Sequence, residues 1–224
     1  MQAEALDFQR DGARLFPAIL SPAEVAELIK VFGDDPAQAG LRLTGIAGLL
    51  PFLETPGPVA AVAADVLGST ARPVRAVLFD KTATVNWSLG WHQDRTIVVT
   101  DRHEVDGFGP WSMKSGLQHV EPPFSILGKM VTLRVHIDPV GPDNAALLIV
   151  PRSHQIGRIP QGEIEATAAR MGSFTCLADA GDVWLYATPI LHASDAARVP
   201  ARRRVLQVDY AAEDLPGGLT WLGI

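Results

Sequence analysis

The chain has 224 residues, of which 47% are hydrophobic and 20% charged, and its formal net charge is −6. This composition provides material for one globular core and excludes a disordered chain. The negative charge argues against a nucleic-acid or anionic-membrane surface. The single cysteine excludes an internal disulfide framework, and the first ten residues carry no apolar signal segment. We therefore expect a single domain over residues 1–224 in the cytoplasm, without a nucleic-acid or membrane partner.

Two helices are predicted in the N-terminal part, residues 1–70. Ser21-Pro22-Ala23-Glu24 offers an N-cap serine, a proline suited to the first helical position and a capping-box glutamate. Apolar residues then recur every three or four positions up to Gly33, which ends the helix. A second apolar stripe predicts a helix over residues 58–67, and this run is too short to span a bilayer.

Short β-rich runs separated by Gly, Pro, Asn and Asp fill the predicted core, residues 71–212. Strands are predicted over residues 74–79, 90–99, 130–137, 146–150, 174–177, 183–186 and 203–210. Many short strands without long helices between them predict a sandwich or barrel. Residues 101–129 interrupt the strands with a long insertion rich in Gly, Pro and charge, which we expect to form a lid over the functional site.

The most informative motif is Trp91-His92-Gln93-Asp94. On a strand, His92 and Asp94 point to the same face and can occupy two adjacent positions of one metal ion. A second histidine would complete the two-histidine, one-carboxylate triad that leaves metal positions open for chemistry, and His192 is the candidate. A lone His-x-Asp pair is weak evidence for a metal site, so its value depends on the motifs around it.

Several further motifs, taken in their order and spacing, resemble the phytanoyl-CoA dioxygenase-like branch of the iron(II) and 2-oxoglutarate dependent oxygenases. Besides the His-x-Asp motif and His192, the matching pieces are Phe8-Gln9-Arg10-Asp11-Gly12, Asn144-Ala145-Ala146-Leu147, Val150-Pro151-Arg152-Ser153-His154 and Gly181-Asp182-Val183. The resemblance implies a mainly β (α+β) fold. This fold is a double-stranded β-helix, a jelly-roll or cupin-like barrel, with the N-terminal helices packed on one sheet. The strand-rich pattern after residue 71 agrees with it.

The resemblance also implies the cofactors and the reaction. His92, Asp94 and His192 would hold Fe(II), and 2-oxoglutarate and O2 would take the open metal positions. Such an enzyme is a dioxygenase that hydroxylates a small molecule while 2-oxoglutarate is decarboxylated to succinate and CO2. Related halogenases lack the carboxylate ligand, so the presence of Asp94 favours oxygenation over halogenation.

An arginine is expected to bind the distal carboxylate of 2-oxoglutarate, since a guanidinium group gives two parallel charge-assisted hydrogen bonds. By the resemblance this residue is Arg203, eleven residues after His192. The resemblance also implies that Ser194 offers a hydroxyl to the same carboxylate. Arg204 remains an alternative, because a slip of one residue along the strand reverses every face.

The predicted strand over residues 130–137 alternates between apolar and polar side chains. Its apolar face is expected to pack against the helices or the second sheet. Its polar face contains Thr132 and Arg134, which we expect to approach 2-oxoglutarate, and the resemblance supports a large side chain at Arg134. An exposed polar face is the alternative, because antiparallel sheets commonly have one solvated face.

Substrate contacts are harder to assign from the sequence. Arg42 stands among apolar residues, and it either snorkels to solvent or reaches an anion in the site. Trp91 either belongs to the core or lines a substrate pocket, and His119 in the insertion is either a surface residue or a substrate contact. An anionic small-molecule substrate is compatible with four cations of the sequence: Arg42, Arg102, Lys114 and Arg134.

Two other functions are compatible with the same pattern. A non-oxidative cupin-like metal protein, such as an isomerase or a small-molecule binding module, would keep the three ligands but have no use for an arginine clamp. A barrel that has lost catalysis is indicated only if His92 and His192 lie far apart. The turn residues Ala145 and Arg152 depart from those common in the family, which leaves the substrate class open, and nothing in the sequence indicates a coenzyme A site.

Overall fold

The computed structural model describes residues 5–33 and 40–224, and antiparallel sheets dominate it. Its strands are β1 (Ala13–Phe16), β2 (Leu41–Leu43), β3 (Arg72–Lys81), β4 (Leu89–His92), β5 (Ile97–Val99), β6 (Trp111–Lys114), β7 (Leu117–Val120), β8 (Val131–His136), β9 (Leu147–Ile149), β10 (Phe174–Cys176), β11 (Val183–Ala187), β12 (His192–Ser194) and β13 (Arg203–Ala211). The α-helices are α1 (Phe8–Asp11), α2 (Pro22–Phe32), α3 (Leu50–Leu53), α4 (Pro58–Leu67), α5 (Phe124–Leu127) and α6 (Ile164–Met171). Within the described residues no single helix is long and apolar enough to cross a membrane, and one bent pair, Ala47–Leu53 with Pro58–Leu67, meets that test of length and composition only when taken together.

Two sheets pack face to face and form the walls of the barrel. The larger sheet has the order β1-β11-β8-β13-β3-β2, and the smaller has the order β10-β9-β12-β4. Leu147, Ile149 and Cys176 of the smaller sheet pack against Trp184 and Tyr186 of the larger one. Strands distant in sequence are neighbours in both sheets, as in a jelly roll. The predicted double-stranded β-helix fold is therefore confirmed.

The N-terminal helices cover the outer face of the six-stranded sheet. α2 begins at the predicted capping box, in which the Ser21 hydroxyl accepts a hydrogen bond from the Glu24 N–H and the Glu24 carboxylate accepts one from the Ser21 N–H. α4 occupies the predicted range. Leu28 of α2 and Val59 of α4 are fully buried in the core that joins the helices to the sheet. The predicted packing of the helices on one sheet is confirmed.

Strand β8 shows how side-chain alternation divides this sheet into two faces. Val131, Leu133 and Val135 point to the helices and are at most 2% exposed. Burial of this kind stabilises the fold by roughly 1.5–3 kcal/mol for each side chain. Thr132 and Arg134 point into the barrel and are also buried. The predicted apolar face is confirmed, and the polar face is enclosed rather than solvated.

The prediction of one strand over residues 90–99 is wrong. β4 ends at His92 and β5 begins at Ile97, and the two strands belong to different sheets. Asp94 therefore lies in the connection beyond the strand end. The apolar run of β5 fills a separate core with the C-terminal residues Leu215 and Leu219, which draws the chain out of the four-stranded sheet.

The insertion over residues 101–129 is largely a β-hairpin rather than an irregular loop. β6 and β7 pair with each other around Ser115-Gly116, and β7 also pairs with β5. Val120 and Leu127 anchor the insertion in the same core as β5. The hairpin is thus held in place by burial, and its role as a lid stays a prediction.

The motif Gly181-Asp182 fixes the start of β11 against the segment after β1, and we expect Gly181→Ala to be strongly destabilising. The Asp182 carboxylate accepts a hydrogen bond of 2.8 Å from the Ala18 N–H. Gly181 has a φ of +90°, and an added Cβ would collide with the Leu20 carbonyl oxygen. The free energy of unfolding should fall by about 2–3 kcal/mol, measured as a lower thermal midpoint in scanning calorimetry. Gly141→Ala is the control, because no heavy atom lies within 4 Å of its added methyl group, and equal midpoints for the two variants would contradict the argument.

Candidate metal centre and co-substrate pocket

His92, Asp94 and His192 come together where β4 and β12 pair. His92 lies opposite His192 in the register of the two strands, and their ring centroids are 4.1 Å apart. Ligand atoms of the three side chains all lie within 4.8 Å of one another. A single ion can contact three atoms spaced in this way. His92 and His192 therefore lie close together. A large distance between them would have indicated a barrel that has lost catalysis.

Backbone carbonyls orient both imidazole rings for metal binding. Nδ1 of His92 lies 2.8 Å from the Gly90 carbonyl oxygen, and Nδ1 of His192 lies 3.0 Å from the Ile190 carbonyl oxygen. Because carbonyl oxygens only accept, each Nδ1 carries the proton and each Nε2 keeps its lone pair for a metal. Burial, and then the neighbouring His92, lower the pKa of His192 to about 4, so this ring is neutral at neutral pH.

Asp94 is held in the ionised state that a metal ligand needs. Burial raises the pKa of this carboxyl, but neighbouring groups, above all the positive charge of Arg75, lower it by more, so the pKa lies below its usual range. Arg75 Nη2 lies 3.6 Å from Asp94 Oδ2, and Arg75 Nε lies 2.6 Å from Asp209 Oδ2. Asp94 Oδ2 has no hydrogen-bond partner in the described part of the chain. Two neutral imidazoles and a carboxylate with an unsatisfied oxygen form a donor set that fits Fe(II).

The two side chains that alternate with the ligands point away from them. The Gln93 amide donates to the carbonyls of Gly157 and Pro189 and accepts from the Ile159 N–H, so it ties the surrounding loops together. Trp91 packs against the apolar cluster beneath α6. Neither residue lines the cavity at the metal ligands. The prediction that Trp91 contacts substrate therefore disagrees with its position, because alternation along β4 places it on the outer face.

The triad opens into a cavity of about 260 Å³ inside the barrel. Four of the residues predicted to bind co-substrate or substrate line this cavity: Arg42, Arg134, Ser194 and Arg203. One face of β3 forms much of the wall, since alternate residues of a strand share a face, and these residues are Arg75, Val77, Phe79 and Lys81. A larger cavity of about 770 Å³ lies beneath the C-terminal residues 219–224, and it contains none of the predicted site residues.

Three consecutive arginines at the start of β13, residues 202–204, point to different surroundings. Arg203 is 1% exposed, lines the cavity, and has an Nε without a partner among the described residues. Arg204 points the other way and donates two hydrogen bonds of 2.9 and 2.7 Å to the Asp138 carboxylate. Arg202 is exposed and pairs with the buried carboxylate of Asp80. Burial and the charge of Arg134 lower the pKa of Arg203, so its positive charge lacks compensation, and the geometry favours Arg203 over Arg204 as the carboxylate ligand.

Ser194 and Lys81 adjoin Arg203 and form with it what we call the arginine end of the cavity. The Ser194 hydroxyl donates to the Ala145 carbonyl at 3.0 Å, and Arg203 Nη1 donates to the same oxygen. Lys81 Nζ donates to Ser194 Oγ at 3.3 Å and to two backbone carbonyls at 2.6 and 3.1 Å. All three of its N–H donors are therefore used, and Lys81 orients Ser194 while it adds positive charge.

Thr132 lies behind the cavity wall, contrary to its predicted contact with 2-oxoglutarate. Its hydroxyl donates to Asp209 Oδ1 at 3.0 Å and lies 3.0 Å from the Thr188 hydroxyl. Asp209 pairs in turn with Arg75, which faces Asp94. Thr132 thus supports the carboxylate ligand through two intermediate side chains, because the buried Asp209 takes up its hydrogen bond.

Two charged residues of the cavity wall, Arg75 and Lys81, lie outside the predicted set. Both belong to the alternating face of β3, a pattern visible in the sequence, but the predicted strand over residues 74–79 is too short to include Lys81. His119 is not a surface residue, because it is buried and lines the cavity. Arg102, by contrast, pairs with a surface glutamate outside it.

The sequence model of the phytanoyl-CoA dioxygenase (PhyH) family matches residues 8–205. The chain belongs to the PhyH family. The matched range of this PhyH-family protein contains all three candidate metal ligands and Arg203, and the match confirms the resemblance carried by the sequence motifs. No curated protein matches the chain in sequence.

Three solved structures illustrate which proteins share the fold of this PhyH-family chain. One is the non-heme alpha-ketoglutarate dependent epimerase SnoN from nogalamycin biosynthesis. It is 17% identical, the match covers 94% of this chain and 87% of the SnoN chain, and the TM-score is 0.65. EctD from S. alaskensis in its apo form is 20% identical, with coverages of 92% and 74% and a TM-score of 0.68. HygX from Streptomyces hygroscopicus with nickel and 2-oxoglutarate bound is 15% identical, with coverages of 91% and 83% and a TM-score of 0.61. At these identities the likeness shows the shared fold.

Proposed function

We propose that this protein is an Fe(II) and 2-oxoglutarate dependent dioxygenase that hydroxylates a small molecule. The observation that carries the proposal is that His92, Asp94 and His192 share one cavity with the buried Arg203, whose charge is uncompensated. Membership of the PhyH family supports the same function. So do fold neighbours with the corresponding ligands, since HygX is described with 2-oxoglutarate and EctD with 2-oxoglutarate and 5-hydroxyectoine.

Iron and 2-oxoglutarate, when bound, supply the oxidising chemistry, in which O2 gives a hydroxylated substrate while 2-oxoglutarate becomes succinate and CO2. The protein holds and orients the reactants. His92 and His192 offer Nε2 atoms and Asp94 offers a carboxylate oxygen to the metal. Arg203 binds the distal carboxylate of 2-oxoglutarate, and the Ser194 hydroxyl lies beside it. The barrel surrounds these groups, with His192 and Arg203 buried and with His92 and Asp94 half-buried at the opening.

The size of the cavity favours a compact substrate. Its volume of about 260 Å³ is below the roughly 300–1,000 Å³ that is typical of small-molecule sites. The same space has to hold 2-oxoglutarate. We therefore expect a substrate of metabolite size, and the acyl-CoA substrate in the family name does not carry over to this chain.

A non-oxidative cupin-like metal protein accounts for fewer of these features. Such an isomerase or binding module would keep the three metal ligands. It would have no use for the arginine end, where Arg203 and Lys81 are buried side by side. Keeping two cations buried together is unfavourable unless an anion joins them. The oxygenase function supplies that anion as 2-oxoglutarate.

Release of succinate tests the proposal. Purified protein supplied with Fe(II), 2-oxoglutarate and air is expected to release succinate, detected by mass spectrometry, only when both additions are present. A substrate that stimulates this release should gain the mass of one oxygen atom. If the iron-loaded protein neither binds 2-oxoglutarate nor releases succinate, the proposal fails. Epimerisation or desaturation of the substrate would overturn hydroxylation but keep the oxygenase assignment.

The affinity for 2-oxoglutarate is expected to fall as the pH rises above about 8. Burial, and then the neighbouring arginines, lower the pKa of Lys81 to about 8, and the binding of a dianion raises this pKa again. Below this pH Lys81 is charged before and after binding, so the affinity stays constant. Above it, binding takes up a proton, and the affinity falls by up to about tenfold for each pH unit. Calorimetric titration of zinc-loaded protein measures the profile.

Lys81→Met is the control for this pH profile. The variant has no titrating group at this position, so it should bind 2-oxoglutarate more weakly but with an affinity that does not change between about pH 8 and pH 9. Equal slopes for the variant and the natural protein would assign the titration to another group.

A further inference from the structure

A second group of basic side chains lines the cavity at the hairpin. Arg42 projects from the edge strand β2, while Lys114 and His119 come from β6 and β7. Arg42 Nη1 donates a hydrogen bond of 3.0 Å to the Ser115 hydroxyl, which joins the hairpin tip to the edge of the six-stranded sheet. We call Arg42, Lys114 and His119 the hairpin end of the cavity. Arg42 and Lys114 therefore line the same cavity from distant parts of the chain, and Arg42 is bonded to a neutral hydroxyl.

The hairpin end is separate from the arginine end. In the sheet register Arg203 lies opposite Lys81 of β3, whereas Arg42 lies opposite Val77. The four residues from Val77 to Lys81 correspond to about 13 Å along a strand. 2-Oxoglutarate has two carboxylates, of which one goes to Arg203 and the other to the metal. Neither is left for Arg42.

The positive charge of the cavity wall exceeds what 2-oxoglutarate can offset. Among the described residues the wall carries six lysine and arginine side chains but one carboxylate, Asp94. Arg75 has a carboxylate partner of its own, and two of the other cations belong to the arginine end. Within residues 5–33 and 40–224, neither Arg42 nor Lys114 forms an ion pair. Three wall cations remain without a carboxylate partner among these residues: the buried Arg134, and at the hairpin end the half-buried Arg42 and the exposed Lys114.

His119 supplies an unpartnered polar atom at the same place. The side chain is 1% exposed, and its Nδ1 lies 3.0 Å from the Leu117 carbonyl oxygen, so Nδ1 carries the proton. Nε2 has no hydrogen-bond partner in the part of the chain that the structure describes. Buried polar atoms are nearly always paired, so an unpaired one on a cavity wall indicates a missing ligand. Burial lowers the pKa of His119, and the charges of Lys114, Arg75 and Arg42 lower it further. A bound anion would offset those charges and allow a protonated Nε2 to donate.

We propose that Arg42, Lys114 and His119 bind an acidic group of the substrate, so that the substrate is a small organic anion. The inference rests on the proposed function, since it names the substrate class of the same site. A guanidinium, an ammonium and an imidazolium group suit a carboxylate or a phosphate, because all three donate charge-assisted hydrogen bonds. With the acidic group at the hairpin end, the rest of a compact substrate lies in the cavity that contains His92, Asp94 and His192.

Matched acidic and neutral probes test the inference. The protein is loaded with zinc in place of iron and saturated with 2-oxoglutarate, so that the arginine end is filled. Binding of butanoate, propyl phosphate and the neutral butanamide is then followed by ligand-observed NMR. At least one acid is expected to bind about tenfold more tightly than the amide, and the double variant Arg42→Gln/Lys114→Gln should lose this preference. The stronger of the two acids identifies the acidic group as carboxylate or phosphate.

Arg14→Gln is the matched control, because Arg14 lies on β1 at the opposite edge of the same sheet and is exposed. This variant should keep the preference for the acid. The double variant should bind 2-oxoglutarate within about twofold of the natural protein, since the arginine end is intact. Equal binding of acids and amide, no binding of either acid, or a preference that survives in the double variant would overturn the inference. If 2-oxoglutarate does not bind, the proposed function fails, and the same probes compared in an Arg203→Gln background still decide on the hairpin end.

Discussion

Replacing Asp94 by alanine is expected to abolish succinate formation and to weaken Fe(II) binding by more than about a hundredfold, since even residues behind a metal ligand are worth 10–100-fold. Asp94 is the anionic member of the triad. Its removal leaves the positive charge of Arg75, which lies 3.6 Å from Asp94 Oδ2 and keeps Asp209 as its partner, beside two imidazoles without the carboxylate that faced them. That charge repels a metal cation. Anaerobic calorimetry with Fe(II) and a succinate assay measure the two effects.

The fold of the Asp94→Ala variant should persist, because Arg75 keeps its pairing of 2.6 Å with Asp209. Circular dichroism checks this point. Asp65→Ala is the matched control, since the Asp65 carboxylate is 62% exposed on α4 and remote from the cavity. It should bind iron and form succinate as the natural protein does. An Asp94→Ala protein that binds iron with unchanged affinity would show that the metal site lies elsewhere.

The parts of the site that could be predicted from the sequence are those carried by local patterns. Alternation along one strand predicts that Arg203 and Arg204 lie on opposite faces, and they do so in the structure. The same reasoning correctly separates the two faces of β8, where Leu133 packs on the helices and Arg134 enters the barrel. Motif order supplied His92 and His192, which the strand register then brings together.

The parts that could not be predicted depend on pairings between distant strands. Lys81 reaches the arginine end because β3 runs antiparallel to β13, and no local pattern encodes that register. His119 is buried because β7 pairs with β5, so the segment predicted as a lid forms a hairpin. Thr132 and Trp91, which were predicted to contact co-substrate or substrate, lie off the cavity for a related reason. Alternation assigns a face, but the tertiary neighbours decide whether that face meets the cavity, a buried carboxylate or a helix.

Replacing Arg203 by glutamine is expected to weaken 2-oxoglutarate binding by about a hundredfold, because two charge-assisted hydrogen bonds to the distal carboxylate are lost. The metal ligands stay in place, so Fe(II) affinity should change little. Arg203 is 1% exposed and its Nη1 donates to the Ala145 carbonyl. A glutamine amide can keep that contact without the charge. Calorimetric titration of zinc-loaded protein with 2-oxoglutarate measures the change.

Arg204→Gln provides the sharpest control, since the two arginines are adjacent and differ in the face they occupy. Arg204 donates to Asp138 and does not line the cavity. Its loss should lower the thermal midpoint, because a partly buried two-point ion pair is broken, while 2-oxoglutarate affinity is retained. The opposite pattern, with binding lost in Arg204→Gln and kept in Arg203→Gln, would mean that β13 presents its other face to the co-substrate. Because a slip of one residue reverses every face of a strand, that outcome would also remove Gln207 and Asp209 from the interior and with them the support of Arg75 behind the metal ligand.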